Sequence, residues 1–438
     1  MITYLFIHSL RRDYYPMWFL SKILKTHGYN CILTSKHSIR FLLKLTTPDI
    51  LIISSPCNLS QKVQKKIHQK NTKIILFEQE GAIVDNDISS TYLEIKNNEK
   101  IDYSLYENIL VWNETTLNWL NNHRKEIREK VYLTSNIRLD PNLNNYMKNR
   151  NKKNNKVCIG FISRFEFINT FDGRHIWETL VRLDPEIIRD QEFLDRYAVD
   201  SESFSIMFKI MKLLINKGFK ISIKPHPNED INTYKILTKK LGKQNLEIDN
   251  SLSVNEWFTK VDCVIGTTSS CFADAYFAKV PIISIANLQR YRITQGHGEM
   301  LKNFESIAEK PSSIYELINF IEQHKFEHKS SNEFEKFSNI FYGFNNNSIE
   351  KPLEKIIDRF INLKKDLKIR HNNKNILIFY INILAYLSDF ILIVRQVRRK
   401  NPFAYLLRLI RYDYTRLFIK PTKFMNDTYL KYKKFQSN

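Results

Sequence analysis

Several short stretches put reactive side chains where buried strands should end. In KPHPNED (224–230), Lys224, His226 and Glu229 follow the strand-like KISI. Pro225 and Pro227 each fix φ and withdraw a backbone donor, so His226 is expected in a stiff turn. An imidazole held that way can meet a phosphate, although a lone His after a strand is as readily structural. In GTTSSCFADAYFAKVP (266–281), a glycine and four hydroxyl residues, Thr267, Thr268, Ser269 and Ser270, precede a helical stretch of small and apolar residues. Free N–H groups and hydroxyls at a helix start suit an anion, and equally a plain serine cap. In LFEQEGA (76–82), Glu78 and Glu80 stand before Gly81; a carboxylate there can take a proton from an attacking hydroxyl or simply face water. Arg164 in GFISRF (160–165) and Arg138 in SNIRLD (135–140) could add positive charge. The acids of DND (85–87) sit in a polar loop with no strand before it, so no metal is expected.

Positioning such residues calls for strands. Apolar runs of strand length recur with helical stretches between them: TYLFIH (3–8), DILIIS (49–54), KIILFE (73–78), NILVWN (108–113) and KVYLTS (130–135). Buried strands alternating with amphipathic segments such as MWFLSKILKTHGY (17–29) signal a parallel sheet covered on both faces. The polar, aperiodic NLNNYMKNRNKKNNK (142–156) reads as a linker. A second series follows with KVCIGFIS (156–163), a helical FSIMFKIMKLLINKG (204–218), KISIKPHP (220–227), VDCVIG (261–266) and PIISI (281–285). The expected class is α/β, with two Rossmann-like doubly wound domains over 1–141 and 157–345, joined by 142–156. Residues 346–438 form a basic helical extension. In open parallel sheets ligands lie beyond the carboxyl ends of strands, which is where all these motifs fall.

Composition narrows the classes. The chain has 438 residues, 43% of them hydrophobic, enough for more than one core. Its five cysteines are odd in number and never spaced CxxC, which excludes a disulfide framework and a zinc site and fits a reducing interior. MITYLFIHSLRRDYYP at the N-terminus lacks a basic lead and a small-residue cleavage site and reads as a core strand, so a cytoplasmic location is expected. Of the net charge of +21, residues 364–438 hold +13, from 17 Lys/Arg against four Asp. That charge accompanies NILIFYINILAYLSDFILIV (375–394), interrupted by Asn382, Ser388 and Asp389. The pattern suits an in-plane helix on an anionic membrane better than a span, and a helix packed on the protein's own core is the plainer alternative. No nucleic-acid-binding signature accompanies the charge.

An acidic pair before glycine, a His-Pro motif and a Ser/Thr motif, in that order, resemble bacterial GT-B glycosyltransferases that use CMP-activated acidic sugars: the sialyltransferases and Kdo transferases of capsule and surface-polysaccharide assembly. SNIRLD, KPHPNED and GTTSSCFADAYFAKVPIISI are similar to segments of the bacterial surface carbohydrate biosynthesis proteins, and the likeness covers about residues 1–300. Ser135 stands where glycine is usual, and Gln79 takes one of the two acidic positions before Gly81. The resemblance implies a GT-B fold, its two domains facing across a cleft. It implies Glu80, then Glu78, as the base, and His226, Ser269 and Ser270 as stabilisers of the departing CMP phosphate. Lys224, Glu229, Thr268 and Arg164 would complete the donor site, and Arg138 would contact substrate. No cofactor or metal is implied, the CMP-sugar being a co-substrate. The acceptor would be a glycan or lipid-linked glycan, met at the inner face of the cytoplasmic membrane. A transferase using a UDP-sugar or CDP-polyol donor and a basic nucleic-acid-binding protein are the alternatives.

Overall fold

The computed structural model describes residues 1–7, 13–56, 58–78, 95–96, 99–112, 114–134, 137, 156–170, 191–226, 229–242, 244–249, 251, 253–291, 304–336, 352–366, 380–381, 425–427 and 429–430. They fall into two compact units, residues 1–143 with 338–438, and residues 144–337.

In the first unit the elements run β1 (Ile2–Ile7), α1 (Tyr15–Thr26), β2 (Asn30–Ser35), α2 (Lys36–Leu45), β3 (Ile50–Ile53), α3 (Gln61–His68) and β4 (Lys73–Phe77). A small antiparallel pair, β5 (Ile95–Lys96) with β6 (Glu99–Lys100), precedes β7 (Tyr106–Val111), α4 (Glu114–His123) and β8 (Val131–Leu133). The sheet is parallel in the order β2-β1-β3-β4-β7-β8. Its inner strands are apolar without alternation, as ITYLFI and ILII require when helices cover both faces, and every residue of both is buried. Tyr4, Phe6, Ile53 and Leu76 pack there against Leu42 of α2 and Ile67 of α3.

The segment set apart by charge contributes to this same unit. Helix α10 (Pro352–Asp366) buries Ile356, Ile357 and Phe360. The Tyr29 hydroxyl donates to the Phe360 carbonyl, and the two rings meet edge to face. Ile381 is fully buried in the first core, Met425 is fully buried, and Tyr429 lies edge-on to Trp18 and Phe19 of α1. Among the described residues no helix is long and apolar enough to cross a membrane. Apart from Tyr380 and Ile381, the stretch 375–394 lies outside them.

The second unit has β9 (Cys158–Ile162), the long α5 (Gln191–Asn216), β10 (Lys220–Lys224), α6 (Ile231–Leu241), β11 (Leu246–Ile248), α7 (Val254–Phe258), β12 (Cys263–Gly266), α8 (Cys271–Phe277), β13 (Ile282–Ser284) and α9 (Ile314–Glu322). All strands are parallel, in the order β11-β10-β9-β12-β13. Chain direction across the sheet therefore reverses between β9 and β12, the switch point at which doubly wound sheets open a crevice for ligands. Gly266 is needed there: a Cβ would lie 3.1 Å from the Ile162 Cβ and 3.2 Å from its carbonyl oxygen. Ile159, Phe161, Ile221, Ile223 and Ile265 pack against Met207, Ile210 and Leu214 of α5. Strands β2 and β11 have no counterpart in the sequence expectation. NCILTS carries polar residues at both ends, and LEI is three residues long. Neither has an apolar run long enough to mark a buried strand by pattern alone.

Candidate functional site at the switch point of the second sheet

The motifs of the second unit gather at the carboxyl ends of β9, β10 and β12. Ser163 and Arg164 leave β9, Pro225 and His226 leave β10, and Thr267 to Ser270 leave β12. Ser163 ties the first two exits together, since its N–H donates to the Lys224 carbonyl at 3.2 Å and its hydroxyl oxygen lies 3.1 Å from the same carbonyl. The Arg164 guanidinium ties in the third, donating to the Thr268 carbonyl at 3.2 Å.

Glu229 holds the His-Pro turn from beneath. It is 4% exposed, and its carboxylate accepts from the Ser163 hydroxyl at 2.5 Å, the Tyr234 hydroxyl at 2.7 Å, the His226 N–H at 3.1 Å and the Phe165 N–H. Burial nonetheless raises its pKa to about 7, against these four lowering hydrogen bonds. Expected to help complete the donor site, Glu229 is instead engaged inside the chain. The cap of α6 belongs to Asp230, which accepts from the Asn232 N–H at 3.0 Å. Lys224 is likewise engaged: its ammonium donates to Asp249 at 2.7 Å and to the Ser251 carbonyl and hydroxyl at 2.6 and 2.9 Å. Burial would raise the Asp249 pKa, but Lys224 and Lys260 outweigh it and hold the carboxylate below its usual value. Both residues shape the turn. Neither aims a free charge out of it.

What the turn presents is the imidazole. His226 Nδ1 lies 3.4 Å from Glu166, a half-exposed pair. Sequence reasoning passed over Glu166, since an acid two residues past Arg164 belongs to no motif; only the fold of 163–170 across the turn brings it near His226. That fold is fastened by a bridge between Thr170 and Glu229 and by Asn169, whose carbonyl accepts from the Asp230 N–H at 3.0 Å. Asp200 of α5 completes the acidic surround, accepting from the Phe167 N–H at 3.1 Å. Its pKa is raised to about 8 by burial, against the lowering pull of that bond and of Arg164.

The hydroxyl loop divides by burial. Thr267, Thr268 and Ser269 are buried and Ser270 is exposed. Thr268 donates to Glu305 at 2.8 Å, while Ser269 Oγ accepts from the Cys271 N–H at 3.2 Å and keeps its own proton to donate. Arg164, His226, Ser269 and Ser270 are thus the donors on strand exits bordering one switch point, a chemistry suited to an anionic phosphate.

Glu78 belongs to the first unit, one residue beyond β4. Its backbone is fixed on both sides, the N–H donating to Leu110 at 3.1 Å and the carbonyl accepting from Trp112 Nε1 at 2.7 Å. Its Oε2 is buried without a hydrogen-bond partner among the described residues. Burial raises the carboxyl pKa to about 7, the Trp112 backbone N–H pulling the other way. Glu80, Arg138, Asp85 and Asp87 lie outside the described residues.

Residues 187–287 match the family model of the alpha-2,8-polysialyltransferases. That segment holds the His226 turn, β10 to β13 and the hydroxyl loop. No curated protein sequence matches the chain. Among solved structures, a variant of the wall teichoic acid polymerase TagF superposes with a TM-score of 0.50 at 12% identity, covering 84% of this chain and 90% of its own. MnaA of S. aureus with UDP gives 0.48 at 13% identity, covering 85% and 99%. The UDP-GlcNAc 2-epimerase of Methanocaldococcus jannaschii gives 0.45 at 11%, covering 83% and 100%. The polymerase likeness extends the α/β, GT-B-like architecture over most of the chain. The family match lying over the switch-point motifs indicates a glycosyltransferase.

Proposed function

We propose that the chain transfers an acidic sugar, Kdo or a nonulosonic acid, from a CMP-activated donor to a surface-polysaccharide acceptor without a metal. The observation that carries this reading is the convergence of Arg164, the His226 turn and the Ser269–Ser270 loop at one switch point, inside or beside the segment that matches the polysialyltransferase model. A CMP-sugar leaves CMP with full charge on its phosphate, and positioned N–H and O–H donors stabilise that charge as it develops. His226, held by Glu166, and the Ser269 and Ser270 hydroxyls supply those donors, with Arg164 adding positive charge. The acceptor hydroxyl attacks the anomeric carbon, the bond from that carbon to the CMP oxygen breaks, and the hydroxyl proton passes to a carboxylate. Glu80 is the first candidate for that role, and Glu78, whose carboxyl pKa burial raises to about 7, is the second. Arg138 is proposed to contact substrate, and the basic tail to hold the enzyme at the inner face of the cytoplasmic membrane.

A thermal-shift series tests the donor. CMP should raise the melting temperature more than CDP or UDP, because only native-state binding stabilises, and mass analysis of products from a CMP-sugar panel should show transfer. A larger shift with UDP or CDP, with transfer from a UDP-sugar or CDP-polyol, would replace the donor while keeping the transferase.

A further inference from the structure

The first unit carries a second feature, unrelated to either group of motifs. Between α2 and α3 lies a cavity of ≈ 590 Å³, within the range that holds a small-molecule ligand. Its floor is apolar, made by Leu59, Val63 and Ile67. Its rim is cationic: Arg40 and Lys44 from α2, Lys66 from α3, and Lys70 just beyond it. No acid lines it, and none of the four cations has an acidic partner among the described residues. Arg40 and Lys44 stand four apart, on one face of α2. Beside them Phe41 and Leu45, also four apart, are 36% and 53% exposed. Two exposed apolar side chains flanked by unpaired cations, over an apolar hollow, form a surface that water alone solvates poorly and that an anion with a hydrocarbon part would complement.

We propose that this α2–α3 surface is a membrane contact that seats the headgroup of an anionic phospholipid between Arg40, Lys44, Lys66 and Lys70. Its acyl chain lies on Val63 and Ile67, and Phe41 and Leu45 enter the bilayer interface. The proposal does not depend on the donor or the reaction.

The test uses the full-length chain. Vesicles of phosphatidylcholine mixed with phosphatidylglycerol, compared with phosphatidylcholine alone, report binding by co-sedimentation. A phosphatidylglycerol with a photoactivatable acyl chain then marks the contact, and labelled peptides are read by mass. Label on residues 36–45 and 60–70 is expected, together with a loss of binding on the order of 1,000-fold when Arg40, Lys44, Lys66 and Lys70 are all changed to Gln, since each surface-bound cation contributes about 1 kcal/mol. The labelling arm needs no variant and is therefore immune to misfolding. Label confined to residues 364–438 would overturn the proposal. So would displacement of the label by glycerol phosphate alone, which would make the cavity a plain phosphate site, or by a soluble anionic polysaccharide in preference to vesicles, which would make it a glycan site.

Discussion

His226 owes its position to a buried carboxylate three residues downstream, and its polarity to an acid that no motif contains. His226→Ala should leave the fold intact, since the ring is half-exposed, and should lower kcat by about 10² to 10³, the usual effect of removing one preorganised donor to a developing charge. Glu166→Gln, acting only through the imidazole, should cost about tenfold, because the carboxylate 3.4 Å from Nδ1 becomes a neutral amide; unchanged turnover in both variants would take the turn out of the mechanism. Glu78 makes a prediction with a sign. Its folded pKa of about 7 lies above its ordinary 4.5, so the unfolded chain gives up this proton first, and stability falls as pH rises from about 4.5 to 7. Glu78→Gln removes that fall. The variant should match its parent in urea unfolding at pH 4 and exceed it at pH 8 by up to about 3 kcal/mol, whereas Glu80→Gln should lose transfer. A variant no more stable at pH 8 than at pH 4, relative to its parent, would mean that Glu78 is ordinarily solvated. If transfer survives Glu78→Gln and is lost in Glu80→Gln, the base is Glu80.

At the scale of the element, β9 positions the site by being thin. Gly160 admits the Trp257 ring, with Cζ2 2.8 Å from where a Cβ would stand, and Trp257 Nε1 is pinned by the Ser222 hydroxyl at 2.9 Å. Gly160→Ala must displace that ring, and chemical denaturation should register a loss of about 1 to 3 kcal/mol, the usual range for overpacking. The same wedge next to the switch point should weaken nucleotide binding, read as a smaller thermal shift with CMP. If stability falls and the shift stays whole, β9 supports the core without controlling the phosphate site. The glycine is visible in the sequence, whereas the tryptophan it accommodates lies 97 positions away and becomes a neighbour only through the sheet order.

At the scale of the whole chain, the basic C-terminal segment both carries charge and completes a core. Ile381 is fully buried in the first unit's apolar cluster. Ile381→Ala should therefore cost about 2 to 5 kcal/mol, and deletion of 364–438 should cost more, because Met425 and the ring contacts of Tyr429 go as well. Calorimetry of the deleted chain should show the first unit melting early while the second retains its nucleotide-dependent transition. Two unchanged transitions would mean that the segment is an appendage, free to serve a membrane alone.

Local pattern was enough for most of the strands and for naming candidate residues at their ends. Unbroken apolar runs such as ILII and KISI announce buried parallel strands because both faces must leave water, and the residues just beyond them were legible as candidates for that reason. His226, Arg164, Ser269 and Ser270 could thus be named from the chain. Pattern could not reach what depends on pairing across distance. Strand order decided that β9 and β12 flank the switch point, so that Arg164 meets the Thr268 carbonyl 104 residues away. Burial decided that Glu229 and Lys224 are spent on the turn itself, that Glu78 is pushed toward neutral pKa, and that Glu166 stands beside His226. These are properties of desolvation and of neighbours brought together by the sheet, and a side chain acquires them only when the rest of the chain has closed around it.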